Sequence, residues 1–188
     1  MTTRRAFLQI ATAAATPVAL GGIPGINPRT GHHIVLFEDS MPQAGAFALR
    51  AQSQGFATRA IRQGDITEAW LRSVRPAWER RPASIAGLTT PAALFCFEEL
   101  AFARGLRVVF HAEHILLPDG SARHQVQRAG HALSASALQR AGSRWPQRLA
   151  DSLAASRLPR MARPGPSLAS LEPALPAGAT LLTSWIIA

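Results

Sequence analysis

Residues Ala83 to His114 read ASIAGLTTPAALFCFEELAFARGLRVVFHAEH. Ser84 to Leu88 is a short apolar run with the length of a buried strand. Thr90 then Pro91 is a helix start, a capping hydroxyl followed by a proline at the first helical position, where its missing N–H costs nothing. The helix to Arg104 is apolar almost all round. Glu98 and Glu99 form its one polar strip, flanked by Phe95 and Phe102, and this outer face is a candidate partner surface. Ala93, Cys96, Phe97, Leu100 and Ala103 are expected to bury on a sheet. Gly105 ends the helix, and Leu106 to Ala112 is the strongest strand in the chain. Strand, helix and strand make a βαβ unit, the building block of a parallel sheet.

The flanking chain extends this pattern. His33 to Phe37 is a first strand ending in Glu38-Asp39-Ser40, with Ser40 as the expected cap of a helix from about Pro42 to Gln54 that Gly55 stops. Thr58 to Ile61 is a weaker strand, placed near an edge by Arg59 and Arg62. Asp65 and Glu68 have the spacing of a capping box. Its helix carries Ile66, Ala69, Trp70 and Val74 and is expected to end at Pro76, leaving Pro76 to Pro82 as an irregular connector whose Trp78 packs over a sheet edge. After Leu106 to Ala112, Pro118-Asp119-Gly120 is a turn signal, and Ala122 to Gln127 is expected to return antiparallel. Trp145 to Leu158 reads as an amphipathic helix with Trp145, Leu149 and Leu153 on one face. Pro159 to Thr180, with five prolines, is a long connection, and Leu181 to Ala188 is a last apolar strand expected to insert in the sheet. The expected fold is a three-layer α/β sandwich over 32–188. Its sheet would be mostly parallel, in a flavodoxin- or Rossmann-like order beginning 2-1-3-4, with a hairpin and the C-terminal strand added.

At 188 residues and 47% hydrophobic content, one domain can bury a sufficient core without metal or disulfide. Cys96 is alone, which excludes a disulfide, a cysteine zinc set and a CxxC pair, and its place in an apolar helix reads as a small buried hydrophobe. The formal charge is +9 and all the basic residues are Arg. Ten arginines face nine acids from Asn27 to Asp119, but from Gly120 onward eight face only Asp151 and Glu172. That basic third has no nucleic-acid motif and no interleaved aromatics, so it reads as a solvated face; nucleic acid is not an expected partner, whereas weak contact with an anionic membrane surface is.

The first residues run Thr3-Arg4-Arg5-Ala6-Phe7-Leu8 and continue as an Ala-rich apolar stretch to Leu20. Paired Arg4 and Arg5, then Phe7 and Leu8, then a modest apolar run and a small-x-small site at Ala19-Leu20-Gly21 resemble a bacterial twin-arginine signal peptide. The run of about 14 residues is short for a bilayer span. The resemblance covers residues 1–21; 22–31, rich in Gly and Pro, is a flexible lead-in. It implies passage through the twin-arginine translocase into the periplasm, a route associated with cofactor-loaded redox enzymes and their partner subunits.

In such sheets ligands bind beyond the carboxyl ends of the strands, at the switch in strand order. That edge would collect Glu38, Asp39, Ser40, Thr89 and Thr90 as ligand-binding residues and His111 and Glu113 as an acid/base pair. His111 and Glu113 share one side of a strand by its two-residue period, and His114 faces the other way. Free N–H groups after Thr90 suit an anion; no metal site or cofactor follows from these residues. No GxSxG, P-loop, HExxH or GxGxxG is present. The expected function is an exported binding or accessory protein, a partner subunit of an exported redox enzyme among the options. The competing expectation is a small periplasmic hydrolase or transferase using His111 and Glu113.

Overall fold

A computed structural model describes residues 32–80, 83–128, 133–155 and 175–188. The signal-like segment (1–21), the lead-in (22–31) and most of the proline-rich connection (159–180) lie outside them. The elements are β1 (His32–Glu38), α1 (Pro42–Ser53), β2 (Ala57–Ile61), α2 (Thr67–Ala69), a π turn (Trp70–Val74), α3 (Arg75–Arg80), β3 (Ser84–Thr89), α4 (Pro91–Phe102), β4 (Val108–Leu116), β5 (Ala122–Arg128), α5 (Ala135–Ala141), α6 (Trp145–Ala155) and β6 (Thr180–Ile187).

The fold is α/β, built on a six-stranded sheet of order β2-β1-β3-β6-β4-β5. β1 pairs in parallel with β2 and β3, but β3–β6, β4–β6 and β4–β5 are all antiparallel. The sheet is therefore mixed, and the mostly parallel order 2-1-3-4 is corrected. β3 and β4 run the same way, yet the C-terminal strand lies between them. The βαβ unit is split, its two strands one strand apart.

Trp185 shows why β6 fits there. Its indole lies flat on Gly87 of the neighbouring β3, and a Cβ at residue 87 would stand 2.6 Å from Trp185 Cε2. The indole Nε1–H donates to Thr89 Oγ1 at 2.9 Å, and the ring packs beside Phe97 of α4, centroids 5.7 Å apart. One face of the sheet, with Leu36, Ile85, Trp185 and Ile187, is covered by α2 to α4. The other, with Val35, Ala86, Leu88, Leu182 and Ile186, is covered by α1 and α6.

Local departures from expectation have local causes. Met41, not Ser40, occupies the cap of α1, and its side chain makes no capping bond; the Ser40 hydroxyl is turned back to Glu38. The capping box is half made: Asp65 accepts from Thr67 N–H at 2.8 Å, while Glu68 pairs with Arg72. The helix also continues past Pro76 to Arg80. A proline cannot donate to residue i−4 and crowds its carbonyl, and the π turn just before it loosens the ladder where that conflict would arise. Trp78 is accordingly helical and buried, and its Nε1–H donates to the Ala83 carbonyl at 2.7 Å. On α4, Ala93, Leu94, Phe97 and Ala101 face inward. Cys96 and Ala103 are exposed, against expectation, because the inward stripe is rotated toward Leu94 and Ala101. Phe95 and Phe102 are 63% and 62% exposed, as their outer position requires.

Gly87→Ala should push a methyl into the indole and destabilise the protein by about 1–3 kcal/mol, the usual cost of overpacking a tight core. Urea unfolding measures this, and an unchanged midpoint would show that the Trp185–Gly87 contact does not hold β6 in the sheet.

Candidate functional site

β1 and β3 are neighbours, and the chain leaves them to opposite faces, into α1 and α4. Their carboxyl ends form the switch point of the sheet. Glu38 is the last residue of β1 and is 1% exposed. Its Oε1 accepts from the Ser40 hydroxyl and from Gly64 N–H, each at 3.2 Å. Its Oε2 is buried and has no hydrogen-bond partner among the described residues.

Gly64 comes from the turn joining β2 to α2, closed by Asp65 N–H donating to the Arg62 carbonyl at 2.9 Å. Gln63 and Gly64 both adopt left-handed backbone, at φ 51 and 78, as a type I′ turn requires at its two central positions. That conformation is free for glycine but costs a residue such as Gln63 about 1–2 kcal/mol. The strained turn sets Gly64 N–H on the carboxylate. A Cβ on Gly64 would lie 3.8 Å from Thr90 Oγ1, so the cap of α4 borders the same spot. Thr90 caps as expected, accepting from Ala93 N–H at 3.4 Å.

The other expected residues divide. Asp39 is exposed and stands 3.8 Å from Arg62, outside the carboxylate's contacts. Thr89 is fully buried and committed. Its Oγ1 accepts from Trp185 and donates to the Thr90 carbonyl at 3.1 Å, while its own carbonyl accepts from Thr183. Glu38, Thr89, Thr183 and Glu113 fall in one register row across β1, β3, β6 and β4. Three strand spacings separate Glu38 from Glu113, roughly 14 Å. That is too far for the two carboxylates to share one reacting bond, which takes about 5–10 Å. Glu113 is buried and His111 half-buried on β4, so the acid/base pair and the Glu38 site are separate places. Among the described residues no group of three or more His, Cys, Asp or Glu is placed to hold a metal ion.

A second polar cluster lies on the opposite face. His114 Nε2 is 2.8 Å from Ser184 Oγ, and His114 Nδ1 is 2.8 Å from His124 Nδ1. Trp145 of α6 stacks on His114 with centroids 4.5 Å apart. Ser184 is buried with His114 as its partner, so its proton goes to His114 Nε2; otherwise a buried hydroxyl would be left undonated. His114 is then protonated on Nδ1 and donates to His124. Serine, histidine and a third orienting group have the order of a nucleophile relay. Ser184, however, is 1% exposed on a middle strand paired on both sides, leaving no free backbone N–H to stabilise an oxyanion. The cluster is a latch tying β6, β4, β5 and α6 together. Its histidine pair has a sequence signal: a hairpin turn centred on Asp119 places His114 opposite His124. For Gly64 the signal is weaker, a glycine between a strand and the Asp65 helix start.

Burial, and then the charges of His124 and His111, hold His114 well below its usual pKa; burial brings His124 down to about 4. Both folded-state values lie below the unfolded value near 6.5, so the unfolded chain binds more protons between the two. The latch contributes fully above pH 6.5 and loses stability as pH falls toward 4. For fully buried His114 the slope reaches about 1.4 kcal/mol per pH unit. Asp65 and Asp119, lowered by hydrogen bonds from Thr67 and Ser121, lose their contribution only below 3.8. Urea unfolding at pH 7.5, 6 and 5 should show falling stability, with a flatter profile in His124→Gln; equal slopes in the two proteins would refute the assignment.

No family model, curated protein or solved structure matches this chain.

Proposed function

We propose that this chain is an exported binding protein of the bacterial periplasm, carried out by the twin-arginine route, whose ligand engages Glu38 at the β1/β3 switch. One observation carries the reading. A carboxylate that is 99% removed from solvent keeps one oxygen without a partner among the described residues, while a strained turn and a serine fix the other. Burying a carboxylate oxygen unpaired costs several kcal/mol, on the order of the usual desolvation penalty. Uncompensated polar groups and backbone strain of this kind gather where a protein binds. The 2-1-3 start of the strand order, shared with flavodoxin-like sheets, supports the same place.

A second reading, an accessory subunit of an exported redox enzyme, draws on a different observation. α4 exposes Phe95 and Phe102 on either side of Glu98 and Glu99, a large apolar pair on an otherwise ordinary surface. Exposed Arg140, Arg144 and Arg148 would serve contact with an anionic membrane surface. Among the described residues no helix is long and apolar enough to cross a membrane.

Mature protein purified under native conditions should carry a small molecule visible in native mass spectrometry. Glu38→Gln, which keeps an acceptor for Ser40 and Gly64, should lose it while melting no lower than wild type. Retention of the molecule by Glu38→Gln would move the site elsewhere. A larger companion protein that is lost in Phe95→Ser/Phe102→Ser would favour the accessory reading instead. Export is tested separately. Replacing Arg4 and Arg5 with lysines should leave unprocessed protein in the cytoplasm, and unchanged periplasmic yield would remove the twin-arginine assignment.

A further inference from the structure

Three features compete for a further role: the His114–Ser184 latch, the exposed α4 face, and the surroundings of Glu38. The latch is satisfied internally, and nothing in the structure shows what covers α4. Glu38 and the start of α4 lead further.

The buried carboxylate by itself selects a positive hydrogen-bond donor. Next to it stands the N-terminus of α4, a twelve-residue helix. Its first N–H is missing at Pro91, Ala93 N–H is taken by Thr90 Oγ1, and Leu94 N–H by the Thr90 carbonyl. Ala92 lies exposed in that first turn, and its N–H has no acceptor within the helix. The macrodipole makes this end favourable for negative charge. A plain anion would nonetheless sit close to the Glu38 carboxylate and be repelled by it. Gly64 measures how close: its N–H reaches Glu38 Oε1 at 3.2 Å, and a methyl on it would stand 3.8 Å from Thr90 Oγ1. The carboxylate and the helix end thus both border Gly64.

Building on the Glu38 reading, we infer that the ligand is a zwitterion of the free α-amino acid class, its ammonium on Glu38 Oε2 and its carboxylate at the Thr90–Ala92 end of α4. Each charge of such a ligand answers one of these two groups and shields it from the other. An amine without a carboxylate leaves the helix end unused, and a hydroxy acid puts no cation on Glu38.

The test uses matched pairs on mature protein from which any bound small molecule has been removed by dialysis. Titration calorimetry would compare L-serine with ethanolamine, L-arginine with agmatine, and L-alanine with L-lactate. At least one amino acid should bind tenfold or more tighter than its amine and hydroxy-acid counterparts, and Glu38→Gln should weaken it at least tenfold. Amines binding as well as amino acids in a Glu38-dependent way would overturn the zwitterion and leave the Glu38 site standing. Lactate binding as well as alanine would overturn it also. If no member of the panel binds, the inference fails, and the native mass spectra of wild type and Glu38→Gln decide separately whether the Glu38 site fails with it.

Discussion

The indole of Trp185 pressed on the bare backbone of Gly87 is the contact on which the sheet's order depends. A side chain at residue 87 would collide with the indole, so one of the two would have to shift. With none, the last strand of the chain lies close enough to take its place between β3 and β4, and its tryptophan finds an acceptor in Thr89 and a neighbour in Phe97. Two consequences follow. β4 moves one strand further from β3, carrying His111 and Glu113 away from the switch point. Thr89 is committed to the indole, and Thr90 beside it caps α4.

The two faces of the sheet treat buried polarity in opposite ways. Under α6, Ser184 donates to His114 and His114 to His124, with Trp145 stacked over them. Such a network can be buried because its groups are neutral and paired. At the end of β1, on the face that α2 to α4 cover, Glu38 has one oxygen fixed and the other without a partner among the described residues. The first arrangement is complete as folded. The second leaves one acceptor open among the described residues, and the proposed ligand site rests on that difference.

Much of the fold was readable because it rests on local rules. Thr90-Pro91 capped a helix, Asp119-Gly120 turned a hairpin, and the LLTSWIIA run formed a strand that entered the sheet, each as its own residues require. The misreadings had tertiary or backbone causes. Pro76 did not end its helix because a π turn absorbed the conflict. Ser40 did not cap α1 because a buried carboxylate offered its hydroxyl a charged acceptor. Cys96 is exposed because an almost wholly apolar helix carries no periodic signal to say which stripe turns inward.

The sequence by itself determined the α/β class, the strand and helix positions, and the presence of Glu38 and Thr90 at strand and helix ends, since propensity, capping and hydrophobic period act over a few residues. Only the tertiary structure decided that β6 divides β3 from β4, that His114 joins Ser184 from seventy positions away, and that Gly64 lands on Glu38. Those facts depend on which surfaces pack together. That choice is made by shape and by the satisfaction of buried polar groups across the whole chain, and no local window of residues contains it.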